Sequence, residues 1–128
     1  MKKFCCILLI IFSTSPSFAD VYYCAEDART GFDTEENFKI QNFKPIKFSI
    51  KIDLLNYNIA SEEIFFLKSK NTKYCTFDRA DNTLYCMNPF GQSFSYNDET
   101  RRFFLSSVYN KNGLRDDATI SYGKCEKF

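Results

Sequence analysis

The sequence predicts an all-β fold, an antiparallel meander of about seven to nine strands closing into a small barrel or sandwich and stapled by two disulfides. Three observations predict it. Turn signals recur roughly every 8 to 12 residues with no amphipathic helix of useful length between them. Apolar and polar residues alternate without error from Ile46 to Asp53, the period of a strand with one buried and one wet face. Beyond residue 19 the cysteines number an even four, Cys24, Cys75, Cys86 and Cys125, which suits a disulfide framework.

The elements follow in chain order. Met1 to Ala19 carries Lys2-Lys3, an apolar run from Phe4 to Phe12, Pro16 and the small-x-small ending Ser17-Phe18-Ala19. That is the layout of a secretory signal cleaved after Ala19, leaving a single domain over 20–128. The apolar run falls short of the roughly 20 residues a spanning helix needs, so no transmembrane anchor is expected. The first strand covers Val21 to Cys24. Between Ala25 and Phe43 the pattern is weakest, and Asp33 with Glu36 has the spacing of a capping box opening a short helix. Pro45 suits the start of the strand at Ile46 to Asp53, where a missing donor matters little. The continuous Ile64-Phe65-Phe66-Leu67 predicts a second strand to Lys68, buried on both faces.

Cys75 and Cys86 flank the turn-like Arg79-Ala80-Asp81-Asn82, so a hairpin puts them directly opposite, at a non-hydrogen-bonded pair where side chains approach most closely. Cys24 and Cys125 then pair near the ends of the domain. Asn88-Pro89-Phe90-Gly91 is a turn with proline second and glycine fourth. Strands follow at Ser93 to Tyr96 and Arg102 to Tyr109, and Asn112-Gly113 marks another turn. The last strand, Ala118 to Tyr122, alternates again, with a bulge at Gly123 switching the face so that Cys125 meets Cys24. Pairing the first strand with the last removes the exposed edges.

Composition excludes several chemistries. The chain has no histidine, which removes Ser/His and Cys/His nucleophilic pairs and every His-ligated metal site. Of 17 basic residues, losing Lys2 and Lys3 leaves 15 against 16 acidic ones, not the balance of a nucleic-acid binder. Zinc wants paired thiolates at C-x2-4-C spacing, whereas successive cysteines here lie 51, 11 and 39 residues apart. No C-x-x-C redox pair or G-x-S-x-G elbow occurs, and Ser93, Ser95, Ser106 and Ser107 read as solvent-face strand residues. The carboxylate pairs Glu26-Asp27, Glu35-Glu36, Glu62-Glu63, Asp98-Glu99 and Asp116-Asp117 fall in turns and read as solvated, and none matches a calcium loop. Arg101-Arg102 reads as an exposed turn flank. No catalytic residue, metal or cofactor is expected, and the protein reads as a non-enzyme.

Binding remains. Phe48, Phe77, Phe94, Phe104 and Tyr122 are the candidate lining of a barrel interior, which either fills with side chains or holds one small ligand. Two expectations follow: a carrier of a small apolar ligand, which needs an interior cavity lined by those aromatics, or a protein-binding module, which needs an exposed aromatic patch or loop. A carboxylate-based hydrolase would need two inward-facing acids in one cleft. Oligomeric state is not set by these features.

Val21-Tyr22-Tyr23-Cys24-Ala25-Glu26-Asp27, Gly31-Phe32-Asp33, Thr83-Leu84-Tyr85-Cys86 and the ending Gly123 to Phe128 resemble small exported proteins of AT-rich marine bacteria, a likeness that implies no activity. Tyr22-x-Cys24, the late Cys125 and an all-β meander of about 100 residues are similar to the periplasmic lysozyme-inhibitor barrels. That likeness implies a periplasmic or secreted protein whose partner is an envelope protein such as a cell-wall-degrading hydrolase. The Ser-Gly-x-x-Tyr loop of that group is missing, with Gly91-Gln92-Ser93-Phe94 in its stead, so no inhibitory loop is carried over.

Overall fold

A computed structural model describes residues 19–33, 35–69, 73–108 and 118–128. The leader before Ala19, the Asn112-Gly113 turn and the Asp116-Asp117 pair lie outside them. Nine antiparallel strands form one sheet that almost closes into a barrel: β1 (Asp20–Asp33), β2 (Lys39–Phe43), β3 (Lys47–Asp53), β4 (Asn58–Ala60), β5 (Tyr74–Asp78), β6 (Thr83–Met87), β7 (Ser93–Asn97), β8 (Arg102–Val108) and β9 (Ala118–Lys127). The order round the sheet is β4-β3-β1-β9-β8-β7-β6-β5, with β2 also on β1. The first strand joins the last, as the sequence predicts, and Cys24 sits opposite Cys125.

β1 is much longer than the Val21 to Cys24 segment and organises the barrel. Its first half pairs with β3 and its second half with β2, in one continuous register interrupted only at Lys44-Pro45-Ile46. Proline has no amide to donate, so the partner strand breaks there. On its other side β1 gains one residue against β9 between Glu26 and Ala28. The expected bulge therefore belongs to β1, opposite Gly123, and β9 keeps one alternation throughout, with Ser121, Gly123 and Cys125 inward. A β-carbon at Gly123 would collide with the backbone of Ala25 and Glu26, so only glycine admits so close an approach.

Two further elements differ from expectation. Ile64 to Lys68 is not a strand but holds a single 3-10 turn, Phe65–Leu67, with Ile64, Phe66 and Leu67 buried in the core. The Ser61 hydroxyl starts this turn by accepting the Ile64 amide and donating to the Ser49 carbonyl, and the Lys73 ammonium finishes it on the Leu67 carbonyl at 2.7 Å. Asp33 ends β1, and its carboxylate accepts the Glu35 amide within the β1–β2 turn rather than opening a helix.

The core is aromatic. Phe48, Phe94 and Phe103 pack on one another with centroids 5.1 to 6.2 Å apart, and Tyr22 lies against Tyr96. Ile50, Ile52, Ile59, Leu84 and Leu105 complete it. Each such side chain contributes roughly 1.5 to 3 kcal/mol by leaving water. The disulfides Cys24–Cys125 and Cys75–Cys86 cross directly between paired strands.

Candidate functional site

The five candidate aromatics do not converge. Phe48 and Phe94 lie in the core, each almost wholly buried. Phe77 is partly buried at the seam between the outer strands β4 and β5, where its ring stacks on Tyr57 at 5.9 Å and 8°. That contact, with Arg79 donating to the Tyr57 hydroxyl, draws β5 toward the β3–β4 turn where no backbone ladder does so. Phe104 and Tyr122, by contrast, point outward; they are cross-strand partners 6.2 Å apart and both are exposed. The reason is β9's single alternation, which turns Ile120 and Tyr122 to solvent and Thr119 and Ser121 to the interior.

Polar residues inside β9 answer a buried charge. Glu26, its side chain fully buried, accepts the Ser121 hydroxyl at 2.6 Å and the Ile46 amide at 2.9 Å, and pairs with Arg29 at 3.2 Å. The Ile46 amide is the donor freed where Pro45 breaks the partner strand, and the Glu26 amide meets the Ile46 carbonyl. This carboxylate is therefore a structural clamp across the break and the bulge, not a solvated turn residue. Arg29 Nε is buried and unpartnered. Ser107, expected on the solvent face, pairs with inward Thr119 and accepts from Gln92. No second carboxylate joins Glu26 among the described contacts, so the geometry of a two-acid hydrolase is not met there.

The outer surface divides into two flanks. On one, Asp27, Lys47, Glu63, Lys124 and Glu126 line a groove of about 600 Å³ beside Tyr23. Desolvation opposes ionisation of Glu63, but hydrogen bonds from its own amide, from Ser49 and from Ser61 together hold its carboxyl below the usual range. Arg102, opposite Lys124 on β8, belongs to this charged side.

On the other flank the register aligns outward positions without any charge. These are Ile40 and Asn42 on β2, Ala28, Thr30 and Phe32 on β1, and Ile120 and Tyr122 on β9. Phe104 and Ser106 follow on β8, Ser93 and Ser95 on β7, Tyr85 and Met87 on β6, and Tyr74 and Thr76 on β5. None is Asp, Glu, Lys or Arg, although 26% of the chain is charged. Ile40 is 74% exposed, Ile120 60% and Phe104 57%, and a groove of about 320 Å³ runs between Phe32, Ile40, Ser106 and Ile120. Sequence reading singled out Phe104 and Tyr122 but missed the face, because only cross-strand register assembles it.

Among the described residues no three acidic or thiol groups cluster as metal ligands, and no helix is long and apolar enough to cross a membrane. Compared with known proteins, the chain matches no family model, no curated sequence and no solved structure. What is defined is thus a class, a disulfide-stapled antiparallel β-barrel with one charged and one uncharged flank.

Proposed function

We propose that this protein is a non-enzymatic binding module that acts in an oxidising compartment, periplasmic or secreted, and recognises another protein through its uncharged flank. The observation that carries this reading is the alignment of Phe32, Ile40, Ile120, Tyr122 and Phe104 on one outer face. Apolar surface left contiguous and exposed marks an interaction site more often than chance. Around those residues stand Tyr74, Tyr85, Ser93, Ser95 and Ser106. Tyrosine offers large contact area at little conformational cost and serine adaptable hydrogen bonding, the mixture favoured in protein-recognition surfaces. The two disulfides are compatible with an extracytoplasmic location, and the likeness of Tyr22-x-Cys24 and Cys125 to the lysozyme-inhibitor barrels points to an envelope partner.

A carrier of a small apolar ligand is the second reading. Its support is the groove of about 320 Å³ on the outer face, since Phe48, Phe94 and Phe103 occupy the barrel interior themselves. One experiment separates the two. Protein recovered from its producing cell is examined by native mass spectrometry and by affinity capture, alongside a Phe104→Asp/Tyr122→Asp double variant whose circular dichroism is unchanged. A protein partner held by the natural chain and lost by the variant supports recognition through this face; capture equal in both discards it, and a discrete small molecule on the chain favours the carrier.

A further inference from the structure

We propose that the groove beside Tyr23 on the charged flank takes a small zwitterion, a methylated ammonium tethered to a phosphate. The ammonium lies on Tyr23 and Phe128 between the carboxylates of Glu63 and Glu126, and the phosphate lies over Ala25 between Lys47 and Lys124. This site is on the other flank from the protein-recognising face and goes beyond that reading.

Strand register sorts the charges into rows. On the outward face Lys47 of β3 lies opposite Ala25 of β1, Ala25 opposite Lys124 of β9, and Lys124 opposite Arg102 of β8. The next outward row, about 7 Å along the strands, sets Ser49 opposite Tyr23 and Tyr23 opposite Glu126. Glu63 joins this second row, fixed by the Ser49 hydroxyl at 3.1 Å and the Ser61 hydroxyl at 3.2 Å. One row is thus cationic around a small residue and the next anionic around an aromatic one, and the groove of about 600 Å³ spans both. Among the described residues, none of Lys47, Lys124, Glu63 and Glu126 forms an ion pair.

Neighbouring charges leave this division standing. Asp27, exposed at the far end of the groove, offsets one of the two lysines. Lys51 lines an adjoining pocket with Glu62, and Lys127 is paired with Asp20 at 2.8 Å. Beyond Arg102 the turn before β8 sets Asp98 and Glu99 against Arg101. The groove is therefore close to neutral yet dipolar. A lone anion or a lone cation meets like charge at one end, whereas a zwitterion meets opposite charge at both. The aromatic end chooses the cation. Tyr23 is 55% exposed and Phe128 91%, with ring centroids 5.5 Å apart at 73°, and the Phe128 amide donates to the Val21 carbonyl, which keeps its ring alongside β1. Rings set at a steep angle form a corner that attracts a methylated ammonium through their quadrupoles. At the other end lysine ammoniums serve a phosphate as point charges, and an ethyl linker joins the two groups over the step from Tyr23 to Ala25.

The test is calorimetric titration of glycerophosphocholine into protein purified after expression of the full chain, at low ionic strength so that exposed charges are not screened. A Kd of about 1 mM is expected, with choline alone and glycerol 3-phosphate alone each about ten-fold weaker. Tyr23→Leu removes the ring, and Ala25→Leu fills the groove floor without touching a charge; with circular dichroism unchanged, each is expected to weaken binding about ten-fold, while Tyr23→Phe stays within about two-fold of the natural chain. On the natural chain, the amide resonances of Tyr23, Ala25 and Lys124 are expected to shift during the titration and those of Phe104 and Ile120 to stay, a readout that does not depend on any variant folding. Either half binding as tightly as the whole overturns the zwitterion, as does Tyr23→Leu within about two-fold of the natural chain, or the absence of saturation below about 20 mM. Sedimentation with phosphatidylcholine vesicles then names the source. Vesicle binding lost in Ala25→Leu assigns the ligand to a lipid headgroup, and binding of glycerophosphocholine without vesicle binding assigns it to a soluble ester; both support the site. None of these outcomes bears on Phe104 and Tyr122, so this site and the protein-recognising face fail separately.

Discussion

Replacing Glu26 tests whether a buried carboxylate holds the broken strand to the bulged one. Its oxygens take the Ser121 hydroxyl, the Ile46 amide and the Arg29 guanidinium. Glu26→Ala strands all three, and removing one member of a buried pair costs about 3 to 5 kcal/mol. Because the Arg29 side chain retains 22% exposure, water recovers part of its solvation, and the lower end, about 3 kcal/mol, is expected. Glu26→Gln is milder. Its amide oxygen still accepts from Ile46 and its nitrogen donates to a rotated Ser121 hydroxyl, but that nitrogen now faces the Arg29 guanidinium donor to donor, so the charge-assisted contact to Arg29 is lost, at about 2 kcal/mol. In urea denaturation with both disulfides intact, a slope of about 1.5 kcal/mol per molar turns 3 kcal/mol into a midpoint lowered by about 2 M. An Ala variant within about 1 kcal/mol of the natural chain would refute the clamp, as would Gln and Ala variants losing equal stability.

Three other outcomes follow from the packing. Gly123→Ala drives a methyl into the Ala25 and Glu26 backbone and should cost at least about 3 kcal/mol by the same denaturation, or prevent folding; a loss under about 1 kcal/mol would show that the bulge relaxes freely. Replacing Cys24 and Cys125 by alanine opens a loop of separation 101, worth about 4.7 kcal/mol by chain entropy, against about 3 for Cys75 and Cys86 with separation 11. Equal losses in the two double variants would contradict that ordering. Burial, and then the nearby Tyr22 phenol, raise the ionisation of Tyr96 above the ordinary phenol value. A group whose folded pKa is raised adds stability that is complete below its unfolded value, near pH 10, and declines as pH climbs toward the folded one. The natural chain should therefore lose stability above about pH 10 more steeply than Tyr96→Phe, measured by thermal melts from pH 8 to 11. Superimposable pH profiles would refute it.

Much of the barrel was legible in the sequence because period and turn chemistry act locally. Ile46 to Asp53 alternates so regularly that Phe48, Ile50 and Ile52 are assigned inward without any partner strand. The Cys75–Cys86 hairpin was equally readable, since a four-residue loop fixes which residues face each other. Ala118 to Tyr122 misled for a physical reason. Alternation identifies two faces but not which is buried, and here the apolar one faces out because the interior neighbour is the Glu26 carboxylate, itself paired with Arg29, to which Ser121 donates. Ile64 to Leu67 failed differently, as a short apolar run fits a buried strand and a buried helical turn alike. The Glu26 clamp depends on Pro45 lying across the sheet, a register fact joining residues 20 apart in sequence. The uncharged flank depends on seven strands at once, and no linear window contains it.

Recognition through that flank is the claim on which the functional account depends, and site-specific photo-cross-linking in the producing cell tests it most directly. A photoreactive amino acid is placed singly at Phe104, Tyr122 and Ile40, and as controls at Lys47 and Lys124 on the charged flank. The account predicts a discrete protein adduct from the first three positions and none from the two controls. Adducts from the charged flank alone, or equally from both, would contradict it.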